Sequence, residues 1–278
     1  MFMLLLGLAV VLVVGSGLML RSFGELQRVD PGFEPDGLLT FEVNLPFTRY
    51  PDADSRNRLY SEFQERLSGL PGVTHVSAVT PLPLSGIPFN GRYSGAETVD
   101  DTAEFGQAQY RLVLPGYFEA MGSELLAGRT LTRDDDENAR RNVVVDDTLA
   151  RKAWPGEHPI GKRVWVRLAQ EMEALEVVGV VRHEVQDSLH EVPRETIYFP
   201  NGSAGAFGGV NHWVVRTAVE PLGIVPQVKD QLAAIDARLP LARVRPMDDY
   251  VVDAMARTRF ALQLIGAFGA SALLIAGI

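Results

Sequence analysis

Cysteine is missing from all 278 residues. Disulfides and thiolate metal sites are therefore excluded, although an oxidising compartment fits that absence as well as a reducing one. Basic clusters are missing too. The 26 Lys and Arg are outnumbered by 35 Asp and Glu, for a formal charge of −9, which argues against nucleic acid and against a face held to anionic lipid. No G-x-x-x-x-G-K-[ST] stretch occurs, so a P-loop does not bind ATP on this chain. The sequence has no G-x-S-x-G elbow, and nothing pairs Ser85 of Leu84-Ser85-Gly86 with a base. His-Glu-x-x-His is absent as well.

Charge itself is missing from both ends. Met1–Leu20 and Phe260–Ile278 carry no charged residue, and every Asp, Glu, Lys and Arg lies between them. At about 1.5 Å per residue each run makes roughly 30 Å of helix, the thickness of a bilayer's hydrocarbon core. Two transmembrane helices, at 1–22 and 257–278, are expected to flank one large loop domain at 23–255. The first run lacks the basic n-region, the short apolar stretch and the small-residue cleavage site of a signal peptide, so a retained helix is expected. The second run stops at Gly277-Ile278 without a polar flank, and a fragment of a longer chain is expected from that. Loop charge does not set the orientation, because a loop of this length translocates regardless of charge.

Within the loop, Arg21–Asp36 reads as a helical exit ending at Asp30-Pro31-Gly32, and Leu38–Leu45 as a strand. Leu59, Phe63, Leu67 and Leu70 recur at helical spacing across Ala53–Leu70, and Val73–Val79 follows as a strand. The plan repeats near the other end. His212–Thr217 reads as a strand, Pro221 opens a helix carrying Val225, Val228, Leu232, Ile235 and Leu239, and Leu241–Val244 closes as a strand. Two β-α-β units thus bracket the loop, and such halves pair into one α+β sheet with helices on one face. The middle is richer in glycine and reads as a mostly β insertion. Its strands are expected at Gln107–Leu114, Asn142–Val145 and Ile197–Phe199, with a hairpin of Arg163–Arg167 and Leu175–Val181 across Glu171-Met172-Glu173. Met247–Arg259 has no strong breaker and is expected to run as helix into the second apolar segment.

Candidate chemistry is thin. Asp134-Asp135-Asp136-Glu137 lacks the glycine and spaced ligands of an EF-hand and reads as a solvated turn flanked by Arg133, Arg140 and Arg141. His183 and His190 with Glu184, Asp187 and Glu191 match no tight zinc spacing. His75, His158 and His212 are isolated, so surface or satisfied core roles are expected. No catalytic, cofactor-binding or metal residue is assigned, and no enzymatic activity is expected. Gly266 with Ala270, and Ala267 with Ser271, place small residues four apart, a spacing that allows close helix approach in lipid.

Many short motifs, in order, carry a family resemblance. They include Gly17-Leu18-Met19-Leu20-Arg21-Ser22-Phe23, Val29-Asp30-Pro31-Gly32-Phe33, Leu70-Pro71-Gly72-Val73 and Leu82-Pro83-Leu84-Ser85-Gly86. Pro115-Gly116-Tyr117-Phe118, Pro159-Ile160-Gly161-Lys162, Val177-Val178-Gly179-Val180-Val181 and Ile197-Tyr198 follow. Together they resemble a MacB/FtsX-type ABC transporter permease. The resemblance implies an extracytoplasmic domain whose porter-like parts lie at about 37–80 and 211–247, around a β-rich insertion at about 81–210. It implies a multi-pass inner-membrane protein whose second helix starts an FtsX-like permease domain. It also implies a separate ATP-binding subunit, a periplasmic adaptor or substrate protein, membrane lipid, and a dimer of permease units or repeats as partners. The role implied is export or mechanotransmission. A rival of another class is an extracytoplasmic sensor domain, which would need a ligand pocket in the loop and heptads beyond the second helix. A membrane-tethered enzyme is a third reading, which the motif search does not favour.

Overall fold

The structure, a computed structural model, describes residues 30–97, 104–137, 141–168, 171–186, 194–203 and 209–255. The expected spans at 1–22 and 257–278 lie outside the described residues, as do 21–29, Asp187, His190 and Glu191. Among the described residues no helix is long and apolar enough to cross a membrane. Gly32–Tyr250 forms one compact unit.

That unit starts as the two β-α-β halves require. Strand β1 (Leu38–Glu42) leads to helix α1 (Ala53–Ser68) and strand β2 (Val73–Thr80). Helix α1 begins at Asp52, whose carboxylate accepts from the Ser55 amide at 2.7 Å, an N-cap that satisfies a first-turn donor. Leu59, Phe63 and Leu67 form its buried stripe, and Gly69 caps its end. In the second half, strand β10 (His212–Thr217) leads through a 3₁₀ turn (Pro221–Ile224) into a long helix (Val225–Asp236) and strand β11 (Ala242–Pro246). The strand order β11-β1-β10-β2 interleaves the halves, so each helix crosses over a strand of the other half. Both helices pack on one face, where Leu39, Phe41, Val43, Val76, Ala78, Trp213 and Val215 alternate inward. Trp213 is fully buried, its ring centroid 4.6 Å from that of Phe63 and 6.4 Å from that of Phe41.

The middle of the chain is more than a β insertion. Strand β2 passes its edge to β4 (Gly106–Val113), through Val79↔Val113 and Thr80↔Leu112, and β4 also borders β3 (Asn90–Ser94) and β9 (Thr196–Pro200). From β4 the order runs β3, β7 (Arg163–Leu168), β8 (Glu171–Val181), β6 (Asn142–Asp146), β9 and back to β4. The parallel β4–β9 pairing closes this ring into a small barrel, with β5 (Leu125–Gly128) beside the end of β8. Closure removes the edges that an open sheet would leave unpaired. Val143 and Val145, Val164 and Val166, Leu175 and Val177, and Tyr110 with Phe199 join one core. Their spacing of two marks the barrel's inward face.

The barrel holds three corrections to the sequence reading. Leu168 pairs with Glu171, so Glu171-Met172-Glu173 belongs to β8 and the hairpin link is two residues long. The acidic run is not a solvated turn: Arg133–Glu137 is a short helix and Asp135 is buried. Four further elements were not expected from the pattern: β3, β5, the short helix Tyr117–Met121, and the helix Asp147–Ala153. Asn90-Gly91-Arg92-Tyr93-Ser94 has no apolar alternation, and only its neighbours on both sides make it a strand. At the C-terminal side, 247–255 is helical from the residue after β11, as expected.

Candidate functional site

The segments that enter and leave the domain meet on one pair of strands. Strand β1 receives the incoming chain and β11 delivers the outgoing chain, with Leu39 opposite Pro246 and Thr40 opposite Arg245. Incoming and outgoing segments therefore sit side by side at one end of the sheet. The Thr40 hydroxyl donates to the Arg245 carbonyl at 2.8 Å. Glu42, nearly buried, accepts from Arg243 Nη1 at 3.0 Å and lies 3.1 Å from His212 Nε2. Burial pushes the His212 imidazole below its usual range against the pull of Glu42. Tyr250, on the outgoing helix, stacks under the Arg245 guanidinium at 4.2 Å. Burial also raises its hydroxyl, which Thr40 hydrogen-bonds.

A single guanidinium fastens the incoming segment. Arg216 on β10 donates through Nε to Ala120 O at 2.7 Å, through Nη1 to Asp36 O at 2.9 Å and through Nη2 to Glu34 O at 2.6 Å. Its fork thus spans three backbone carbonyls at once. Burial lowers its pKa, opposed by Glu34 and Asp36. The Glu34 amide donates to Met121 O at 2.8 Å, which ties the segment to the end of helix Tyr117–Met121. Gly32 has a φ of +80°, and a Cβ there would stand 2.0 Å from the His183 carbonyl oxygen, so only glycine allows this approach.

Helix Tyr117–Met121 is the other half of the joint. It packs on β2 and β10, on the sheet face opposite the two long helices. From there it meets the outer wall of the barrel. Arg111 of β4 and Tyr198 of β9 are register partners on that wall, and both are buried. Arg111 Nε donates to Gln186 Oε1 at 2.7 Å, and Gln186 Nε2 donates to the Tyr198 hydroxyl at 3.2 Å. Gln186 Nε2 also reaches Glu184 Oε2 at 3.4 Å. The Glu184 carboxylate accepts from the Tyr117 hydroxyl at 2.8 Å and from Ser123 Oγ. Tyr117, Phe118 and Tyr198 pack ring against ring around it. Burial raises the Glu184 pKa, and the hydrogen bonds from Ser123, Tyr117, Tyr198 and Gln186 resist that rise. The joint is a buried polar network between sheet and barrel, its carboxylate and amide groups hydrogen-bonded to one another.

The remaining candidates are dispersed. His183 Nδ1 lies 2.6 Å from the buried Asp146 Oδ2, and burial raises the pKa of Asp146 against the His183 interaction. Asp146 also caps the helix Asp147–Ala153 through the Leu149 amide at 2.8 Å. Asp135 accepts from Arg129, Thr132 and Asn142 in a separate knot. Burial alone would raise its pKa, yet those donors hold it well below the usual carboxylate range. Ser85 follows Leu84 (φ 61°), and its buried hydroxyl has no hydrogen-bond partner among the described residues. Among the described residues no group of three metal-ligating side chains converges. Two shallow hollows meet at Arg163. One, of about 420 Å³, runs along Gly95, Trp154 and Lys162, and the other, of about 350 Å³, along Arg141 and Glu176.

The joint escaped the sequence reading because its parts are scattered from Glu34 to Arg216. The only local signal was His183-Glu184, read there as part of a failed metal cluster. Comparison with known proteins fits this architecture. The family model of the MacB-like periplasmic core domain matches residues 1–258. The periplasmic region of MacB from Actinobacillus actinomycetemcomitans is 19% identical with a TM-score of 0.52, over 81% of this chain and 95% of that one. The extracellular domain of the noncanonic ABC-type transporter YknZ from Gram-positive bacteria is also similar, at 19% identity and a TM-score of 0.45, over 70% and 91%. A search of curated proteins finds no match. With the family model spanning most of its length, the chain belongs to the MacB-like periplasmic core domain family.

Proposed function

We propose that this domain is the extracytoplasmic coupling element of an ABC-type permease, relaying ATP-driven motion between its membrane stems and a partner or substrate protein. A MacB-like periplasmic domain of an ABC transporter permease implies an ATP-binding subunit elsewhere, since this sequence has no P-loop. The reading is supported by the side-by-side entry and exit of the chain on the β1–β11 pair, with Leu39 opposite Pro246. Sliding or twisting one stem against the other would act on that pair. Arg216 and the Glu184 network would then pass the displacement through the sheet to the barrel as one body. The two uncharged terminal runs are the stems, each long enough to span a bilayer. The domain works without catalysis of its own, in keeping with buried carboxylates whose lone pairs are taken up by structural donors.

The experiment is isolation of the full chain from native membranes, followed by ATP-driven distance measurement. Single cysteines are unambiguous labels in a chain that has none. An ABC ATPase should co-purify, and the distance between spin labels on α1 of two copies, or between α1 and the ATPase, should change with ATP. Recovery of the chain without an ATPase, in the soluble fraction, would sink the proposal.

A further inference from the structure

Strand β11 is held on one side only. Among the described residues it pairs with β1 and with no other strand, so it forms an open edge of the sheet. The pairing slips between Thr40 and Glu42, where β11 bulges. Arg243 sits in that bulge with a φ of 47°, a left-handed conformation that a long side chain rarely adopts. Such a backbone persists only while its surroundings hold it. The Arg243 side chain is held by Glu42, whose Oε1 accepts from Nη1 at 3.0 Å. That side chain is 65% exposed, so water can take its charge if the contact opens.

The same carboxylate oxygen faces a second nitrogen. His212 Nε2 lies 3.1 Å from Glu42 Oε1, buried and without an aligned hydrogen bond among the described residues. On the other side of the ring, Nδ1 lies 2.7 Å from Asn211 Oδ1. Thr80 Oγ1 donates to that oxygen at 2.6 Å, and Asn211 Nδ2 donates to Asn44 Oδ1 at 3.3 Å, which sets the amide's orientation. In the neutral ring Nδ1 therefore carries the hydrogen, and Nε2 turns a bare lone pair toward a carboxylate. One proton on Nε2 would convert that repulsion into an ion pair. Among the described residues, Glu42 on β1 and Arg243 on β11 are the charged groups that act on the ring. Strand β2 places the neutral Val79 opposite it, and Tyr250, in the first turn of the helix after β11, senses the same Glu42 and Arg243. Arg245 is stacked on Tyr250, and Arg216 is spent on backbone carbonyls. Burial and Arg243 keep the proton off His212, while Glu42 draws it on.

We propose that Arg243 and a proton on His212 Nε2 are alternative counter-charges for Glu42, so that acid loosens β11 from β1. With the proton in place the imidazolium takes the carboxylate, and Arg243 is repelled toward water. The coupling is reciprocal, so loss of Arg243 strengthens proton binding at His212. The full chain is followed by amide hydrogen exchange and mass spectrometry between about pH 7.5 and about pH 5, corrected for the intrinsic effect of pH on exchange. Protection of β11 should fall roughly threefold or more toward acid, while that of α1 stays level. Slow exchange of the ring C2 hydrogen gives the titration midpoint of His212. Arg243→Asn removes the charge and keeps a residue suited to a left-handed backbone. In that variant the His212 midpoint should rise by about half a pH unit or more, and the acid loss of β11 protection should vanish. His212→Gln should abolish the loss as well. Three results would each overturn the linkage: β11 protection that ignores pH in the wild type, an acid loss that survives Arg243→Asn, or an unmoved His212 midpoint. Arg243 lies at the surface, so its variant decides the matter even if His212→Gln fails to fold.

Discussion

The open sheet and the barrel share β4 yet are held by different physics. The sheet's strength lies in one stack of rings, Phe41, Tyr60, Phe63 and Trp213, pressed between strands and two long helices. Its first long helix has a local cap, the Asp52 carboxylate on the Ser55 amide. The barrel's interior is mostly aliphatic around one ring pair, Tyr110 and Phe199, and its distinctive contacts are buried charges on the outside: Asp135 on Arg129, Glu184 on Tyr117 and Ser123, Asp146 on His183. Apolar burial carries no proton, whereas buried carboxylates do. Outside the Glu42–His212 pair, where burial lowers the imidazole's pKa, the sheet's core should therefore respond little to pH, and the barrel half strongly.

The largest expected effect tests the sheet. Trp213→Ala empties the centre of the stack and should cost about 3–5 kcal/mol, with the loss unchanged between pH 5 and 8 in denaturant titrations. A loss that varied with pH by more than about 1 kcal/mol would contradict the division. On the barrel side, Asp135→Ala strands Arg129, Thr132 and Asn142 and should cost about 2–3 kcal/mol near neutrality. The folded pKa of Asp135 is depressed, so its contribution is present above the unfolded value of 3.8 and is lost as pH falls below it. Wild type and variant should converge in acid, which a series of urea midpoints would show. Asp52→Ala removes one N-cap and should cost about 1 kcal/mol, independent of pH above about 5.

The smallest effect carries the opposite sign. Glu184 has a raised folded pKa, so the native state binds the extra proton and stability falls as pH rises from the ordinary value of 4.5. Glu184→Gln has no proton to lose. Its melting temperature should gain on wild type as pH rises from about 4 to 8, and parallel curves would show that Glu184 is not the titrating group.

Much of the sheet was legible because its signals are local. The helical spacing of Leu59, Phe63, Leu67 and Leu70, the Leu70-Pro71-Gly72 stop and the alternation of His212–Thr217 each act within a few residues. The bounds of β10 and the start of α1 match the sequence reading. The barrel was legible only in pieces. Its candidate strands at Gln107–Leu114, Asn142–Val145 and Ile197–Phe199 exist, but nothing in them announces that β4 runs parallel to β9 or that the ring closes. The run Asp134–Glu137 misled because a charge block ordinarily stays in water. Here Arg129 and Asn142 reach Asp135 from both sides of it in sequence.

By itself, the sequence determined the class of the chain: uncharged ends, a charged middle, two β-α-β halves and no machinery for ATP or for cysteine chemistry. Local spacing and composition carry that information, because helix periods, caps and long apolar runs act over a few turns of chain. Only the tertiary structure decided that the chain enters and leaves the domain on the paired strands β1 and β11, that Arg216 clamps the incoming segment, and that Glu184 sits in a sealed joint. Those facts join residues up to 205 apart. No local preference encodes such pairings, because they form only where strand register and burial bring distant donors and acceptors to the same place.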